Sequence, residues 1–291
     1  MARDPLKSSG FSIPARLAET CGKRAEWARW LHTLPGIVRD LAARWSFTPG
    51  EPFASEVSCS WVAPVTLRDG TSAVLKVGMP HFEGEHEIDA MLFWNGDPGA
   101  LVYEFDKGMG AMLLERCIPG TALRALPEPE QDVVMARILR RLWRNPPEPH
   151  PFRPLSAMTV RWCEETIESR EAWADPGIVR EGLRLFEELP ESAPEEVLLA
   201  TDLHAGNVLR AERRPWLVID PKPFVGDPAY DATQHLLDCR GRLESDPVGL
   251  VRRFANLLEL DEERVRLWTF ARLAAERDDY WTWGERLATA R

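Results

Sequence analysis

Two short segments constrain this chain more than any other: TDLHAGNVL at Thr201–Leu209 and LVIDPKPFVGDPAYD at Leu217–Asp231. In the first, Asp202 stands five positions ahead of Asn207; in the second, the apolar run Trp216–Ile219 ends on Asp220. That is the layout of a phosphoryl-transfer site. One carboxylate lies beside the attacking hydroxyl, while an amide oxygen and a second carboxylate hold magnesium against nucleotide phosphates. The runs Val197–Ala200, Val208–Leu209 and Trp216–Ile219 are short, apolar and separated by turns, so each reads as a buried strand. Asp202, Asn207 and Asp220 are then expected at neighbouring strand ends, facing one cleft. Asp and Asn after a strand also act as turn formers and caps, because their side chains bond nearby backbone amides. Three of them at this spacing, with a lysine upstream, favour the catalytic reading.

The lysine is Lys76. It lies in Thr71-Ser72-Ala73-Val74-Leu75-Lys76-Val77, after Trp61–Leu67 and an Asp69-Gly70 pair that signals a two-residue hairpin turn. The run resembles the Val-Ala-Ile-Lys strand of protein kinases, whose ammonium pairs with phosphates; an ordinary edge-strand lysine is the competing reading. Phe82–Trp94 reads as a helix with Ile88, Met91 and Leu92 as its apolar stripe. Glu87, one turn before Met91, borders the buried face and is the expected ion-pair partner of Lys76, with Glu85 as the fallback.

Together, Leu75-Lys76-Val77, Glu85–Met91, Trp94-Asn95-Gly96, Ala111–Glu115, TDLHAGN and VIDPKPFVGDPAYD span about two-thirds of the chain. In this order they resemble the aminoglycoside phosphotransferase family, and within it the streptomycin 6-kinase and hydroxyurea phosphotransferase branch. The resemblance implies an α+β, two-lobed protein-kinase-like fold. Residues 1–118 would form an N-terminal, nucleotide-binding lobe with a helical extension, a small antiparallel sheet and one helix. Residues 119–291 would form a mainly helical C-terminal lobe carrying the catalytic loop and the acceptor site.

It also implies ATP and Mg2+ as cofactors. Lys76 would contact the α- and β-phosphates and be held by Glu87, while Glu115, Arg116, Cys117 and Ile118, at the lobe junction, would bind adenine through their backbone. Asp202 would be the catalytic base, Asn207 and Asp220 magnesium ligands, and Asp227 and Asp231 braces for the loop that follows. The implied reaction is phosphorylation of a hydroxyl on a streptomycin-type aminoglycoside or on hydroxyurea. The alternatives are a metabolic kinase of a sugar, amino alcohol or amino acid, and a catalytically dead kinase-like binding module.

Two departures from the family pattern stand out. Many relatives have His-Gly-Asp where this chain has Ala200-Thr201-Asp202, and the expected phosphate loop, Ser55–Trp61, has no glycine, leaving backbone amides and the hydroxyls of Ser58 and Ser60. A protein kinase is disfavoured, because Pro221-Lys222-Pro223 follows Asp220 in place of a Phe-Gly pair and no Ala-Pro-Glu segment comes after it. Lys222 reads either as a phosphate contact or as an outward loop lysine, and His204 as a packing residue.

The 291 residues, 44% of them hydrophobic, allow a full core without staples. Five scattered cysteines without a Cys-x-x-Cys pair argue against structural zinc and for a reducing compartment. No signal-like or membrane-length apolar run is present, so a cytoplasmic protein is expected, with no membrane partner. A net charge of −10 disfavours nucleic acid as a partner and suits a cationic small-molecule acceptor. Acidic and aromatic candidates for that acceptor are Glu164, Glu165 and Glu168, and, near the end, Glu276, Asp278, Asp279, Trp281 and Trp283, although solvated helix faces and packed indoles explain the same residues and are the favoured reading.

Along the chain, helical periodicity runs over Ala25–Leu34 and Gly36–Trp45, broken at Pro35, with strand-like runs at Leu101–Phe105 and Ala111–Glu115. Pro119-Gly120 marks a boundary. Helices are expected over 129–144, 156–173, 178–189, 229–239, 247–258 and 261–276, with the proline-rich stretch 146–154 as loop.

Overall fold

Leu67 N–H bonds Thr71 O at 2.9 Å and Gly70 N–H bonds Leu67 O at 2.9 Å. The turn therefore holds three residues, Arg68, Asp69 and Gly70, where the sequence suggested two. Gly70 has φ 89°, which lets it serve as the left-handed closing residue of such a turn, and Asp69 Oδ1 accepts from Thr71 N–H at 2.9 Å. Its arms, β2 (Ser60–Leu67) and β3 (Ser72–Gly78), pair antiparallel with Val62 opposite Lys76.

These strands belong to a five-stranded antiparallel sheet of order β1-β2-β3-β5-β4, with β1 at Phe47–Pro49, β4 at Val102–Asp106 and β5 at Ala111–Glu115. Lys76 thus sits on the central strand, between β2 and β5, and is no edge lysine.

In this computed structural model the described residues are 11–54, 59–173, 175–275 and Leu287. The chain forms two units, Met1–Gly120 with Ala211–Pro215, and Thr121–Arg210 with Trp216–Arg291. In the first, α1 (Ala15–Gly22) and α2 (Ala25–Trp45) cover the sheet, and Leu34, Val38 and Leu41 join Trp61, Val65, Leu75 and Val77 in one core. The expected break at Pro35 does not occur; α2 is continuous through it. The buried stripe of Leu34, Val38 and Leu41 runs past the proline, and that burial outweighs one missing hydrogen bond.

α3 is shorter than its periodicity suggested, spanning Glu87–Trp94 rather than starting at Phe82. His86 at φ 66° precedes it, and a Cβ on Gly84 would come within 2.3 Å of the His81 ring, so residues 82–86 turn instead of coiling. Past its C-terminus, Gly96 has φ 75° and packs so closely that a Cβ there would meet Leu101 Cδ2 at 2.5 Å. Arg213 reaches into the same turn, donating to Gly96 O at 2.7 Å, to Gly99 O at 3.0 Å and to the Glu115 carboxylate at 2.8–3.0 Å.

The second unit is mainly helical: α4 (Glu128–Leu142), α5 (Leu155–Glu168), α6 (Pro176–Glu191), α7 (Pro228–Asp238), α8 (Arg240–Ser245), α9 (Pro247–Leu258) and α10 (Glu262–Ala275). α5 stops at Glu168, five residues before the expected Trp173, and a 3-10 turn over Arg170–Ala172 follows. α10 packs on α6 and α7, where Tyr230 and Trp268 meet edge to face at 5.2 Å.

A charge knot ties four of these helices. Asp132 on α4 is fully buried and accepts His235 Nε2 of α7 at 2.9 Å, both Arg242 terminal nitrogens of α8 at 2.9–3.0 Å, and Arg253 Nε of α9 at 2.9 Å. No helix among the described residues is long and apolar enough to cross a membrane.

Candidate active site

In the first unit, Lys76 is 6% exposed and its Nζ lies 2.5 Å from Glu87 Oε1. Burying an ammonium requires a paired, hydrogen-bonded partner, and β3 and the first turn of α3 supply the two halves. Glu85, the fallback, is exposed in the turn before α3. The Glu115 side chain is already engaged by Arg213 and by Leu101 N–H at 3.1 Å, and Arg116 reaches Ser72 Oγ at 2.8 Å. Among the described residues, nothing bonds the backbone N–H or C=O of Cys117 or Ile118. That leaves a donor and acceptor edge of the kind adenine needs, beside a Cys117 thiol that burial pushes up to about 11. Ser55–Ser58 of the expected phosphate loop lie outside the described residues.

In the second unit the strands form two separate pairs, β6 (Val197–Leu199) with β9 (Phe224–Gly226) and β7 (Val208–Arg210) with β8 (Trp216–Val218). Asp202 follows β6, Asn207 precedes β7 and Asp220 follows β8. The strand ends belong to two separate pairs, and hydrogen bonds between loops join the three segments. Lys222 N–H bonds Ala200 O at 2.9 Å, Ile219 N–H bonds Asn207 O at 2.9 Å, and Asn207 Nδ2 donates to the Asp202 carbonyl at 3.2 Å. With its nitrogen so committed, Asn207 Oδ1 accepts no hydrogen bond among the described residues.

Asp231 braces this arrangement from α7. Its carboxylate accepts Ala200 N–H at 3.0 Å, Thr201 N–H at 2.7 Å and Trp143 Nε1–H at 3.1 Å; burial pushes the carboxyl up to about 6 against those donors. Asp227 accepts Ala229 N–H at 2.9 Å, Arg264 Nε–H at 2.5 Å and Trp268 Nε1–H at 2.5 Å, anchoring the start of α7.

The position before Asp202 has its own device. Thr201 holds φ 44° and its hydroxyl donates to Lys222 O at 2.6 Å, lacing the two loops. Thr201→Val keeps the branched shape and deletes that donor from a buried carbonyl. The expected loss is about 1–3 kcal/mol of stability, measured by urea unfolding; an unchanged midpoint would show the bond to be unimportant.

Burial raises the Asp202 carboxyl above the ordinary aspartate range. The charges of His204, Lys222 and Arg272 pull it back, and Asp220 adds to the rise. A poised carboxylate of this kind suits proton transfer from a hydroxyl. Asp220 keeps 37% of its side chain exposed and bonds Lys222 Nζ at 2.6 Å. Asn207 Oδ1 and the Asp220 carboxylate are hard oxygen donors, a fit for a magnesium ion that also takes phosphate oxygens. His204 Nδ1 accepts Gly206 N–H at 3.0 Å and lies 3.4 Å from Arg124 Nη2.

Residues 44–279 match the family described as Aminoglycoside/hydroxyurea antibiotic resistance kinase. The streptomycin 6-kinase of Streptomyces glaucescens is 35% identical over 274 residues, covering 90% of this chain and 88% of that protein. The hydroxyurea phosphotransferase of Kitasatospora aureofaciens is 33% identical over 272 residues, with 90% and 78% covered. The chain belongs to the aminoglycoside/hydroxyurea antibiotic resistance kinase family. A choline kinase structure from Streptococcus pneumoniae shares the fold of this family member, with a TM-score of 0.61 at 14% identity over 89% of this chain and 93% of that one. A macrolide 2'-phosphotransferase from Brachybacterium faecium gives 0.56 at 13% identity, over 87% and 97%.

The acceptor candidates of this resistance kinase fall partly on α5 and partly outside the described residues. Glu164, Glu165 and Glu168 lie exposed on α5, with Glu165 paired to Arg161 at 2.9 Å, which is a solvated helix face rather than a pocket wall. Glu276, Asp278, Asp279, Trp281 and Trp283 lie outside the described residues. Sequence reasoning missed Arg272, which is 6% exposed and donates to Thr233 Oγ1 and Gln234 Oε1 at 2.9 Å each. Its guanidinium lies 5.3 Å from the Trp162 ring and 5.5 Å from Tyr230. No local pattern marks it, because its partners come from α5 and α7. Asp132, His235 and Cys239 cluster closely enough to hold a metal ion, but Asp132 is saturated by two arginines and burial pushes the Cys239 thiol up to about 12, so the donor set does not fit one.

Proposed function

We propose that this chain is an ATP- and magnesium-dependent kinase that phosphorylates a hydroxyl of a streptomycin-type aminoglycoside or of hydroxyurea. The observation that supports the reading is the laced pair of loops that joins the segments of Asp202, Asn207 and Asp220, in a chain about one-third identical to such enzymes. Lys76, held by Glu87, takes the α- and β-phosphates, and the backbone of Glu115–Ile118 takes adenine. Asn207 and Asp220 hold Mg2+, which when bound offsets the negative charge that develops on the phosphate oxygens. Asp202 orients the acceptor hydroxyl and takes its proton. The acceptor oxygen bonds the γ-phosphorus as the bond to the β–γ bridging oxygen breaks, leaving that electron pair on ADP.

Steady-state kinetics with both acceptors at low and high salt test the reading. If streptomycin, which carries guanidinium groups, is the acceptor, its KM is expected to rise severalfold with salt, because exposed ion pairs are screened over roughly 8 Å at physiological ionic strength. Use of hydroxyurea, small and neutral, is expected to change little. Phosphorylation of neither compound would move the reading to a metabolic kinase of a sugar, amino alcohol or amino acid.

A further inference from the structure

Lys222 follows Asp220 by two positions, between Pro221 and Pro223. A loop lysine ordinarily keeps its ammonium in water, yet this residue is 9% exposed. Its backbone is fixed at both ends, N–H to Ala200 O at 2.9 Å and C=O to the Thr201 hydroxyl at 2.6 Å, and the flanking prolines restrict the chain further. The Nζ is thereby delivered to 2.6 Å from Asp220 Oδ1. Desolvating a lysine is costly, and a carboxylate that only held a metal would gain nothing from a cation at one of its oxygens.

We infer that Lys222 is a phosphate-contacting cation of this site, competing with the divalent ion for Asp220 and supplying positive charge to the transferring γ-phosphoryl oxygens. The inference rests on Asp220 as a metal ligand. Two cations on one carboxylate oxygen repel each other, and the ammonium also takes up one direction from which a metal would coordinate. A flexible four-carbon stem lets the lysine yield that oxygen and meet phosphate as a point charge. The γ-phosphoryl group spreads its charge over three oxygens in the transition state, so a cation anchored beside Asp220 is of use there.

The test uses the full chain and two readouts that need no acceptor. Mn2+ alone is titrated and followed by electron paramagnetic resonance, and MgATP and MgADP affinities are measured by calorimetry. Lys222→Met is expected to bind Mn2+ at least about fivefold tighter, through loss of the competing charge. It is expected to bind MgATP about tenfold more weakly while MgADP affinity stays within about twofold. Lys222→Arg, which keeps the charge, is expected to stay near the wild type in Mn2+ affinity. A residue that merely supported the loop would weaken Mn2+, MgATP and MgADP binding together, and that result overturns the inference, as does unchanged Mn2+ affinity in Lys222→Met. Should Lys222→Met not fold, Lys222→Gln carries the same expectations. Asp220→Ala separates the two levels. Loss of Mn2+ binding supports the metal-ligand reading, and retained binding removes that reading and the inference with it.

Discussion

Asp202→Asn is expected to lower kcat at least about a hundredfold while nucleotide affinity changes little. Asparagine preserves the volume of the side chain and leaves the backbone lacing untouched, since Asp202 contributes its carbonyl and N–H, not its carboxylate, to the loop bonds. The carboxylate is half-buried beside Asp220, Lys222 and Arg272, and burial raises its proton affinity. An amide in its place cannot accept the hydroxyl proton. Rapid-quench kinetics with MgATP would separate chemistry from product release. A variant that turns over at a near-normal rate removes Asp202 from the mechanism.

The largest effect on stability is expected from the Asp132 knot. Asp132→Ala leaves Arg242 and Arg253 without their shared carboxylate and His235 without its partner, across helices α4, α7, α8 and α9. Breaking a buried ionic network by removing one member costs about 3–5 kcal/mol, here toward the low end because both arginines can regain water. Burial by itself would raise the Asp132 carboxyl, but the His235, Arg242 and Arg253 hydrogen bonds reverse this and hold it well below the usual carboxylate range. The folded state thus binds this proton less readily than the unfolded chain. The contribution of Asp132 is fully present above the ordinary aspartate pKa of roughly 4 and is lost as pH falls below it. Urea unfolding at several pH values should show the gap between wild type and Asp132→Ala at full size at pH 7 and shrinking below about pH 4. A gap that stays constant into acid would mean that packing, rather than the charge network, sets the cost.

Asp202, Asn207, Asp220 and the Lys76 strand could be proposed as site residues from sequence because each sits in a short contiguous run whose residue types and spacing match what the chemistry requires. The family, and the kinase-like α+β fold with it, followed from those runs in order. What could not be read depends on contacts between distant segments. The Asp202, Asn207 and Asp220 loops are joined by hydrogen bonds between β6–β9 and β7–β8 rather than by one sheet, and backbone bonds leave no trace in residue type. Lys222 looked as much like a surface loop lysine as a buried one, because burial is set by what packs over it. Pro35 was misread for the opposite reason: local propensity is strong there, and the core stripe on either side of it is stronger. The acidic residues of α5 matched a cation pocket in composition, but composition cannot distinguish a pocket wall from a wetted helix face.

Thr201 and Asp220 both hold left-handed backbones, at φ 44° and 55°, and neither is glycine. For a β-branched residue such as Thr201 that conformation is a genuine outlier, and each such residue costs roughly 1–3 kcal/mol. Glycine at either position would relieve the backbone, so both are places where a redesign aimed at heat resistance would make a substitution. At 201 the change would also delete the hydroxyl that joins the two loops, and at 220 it would delete a carboxylate proposed to hold the metal. Conformational ease and chemical endowment are therefore mutually exclusive at these two residues, and the thermal robustness attainable by an active version of this chain is bounded there.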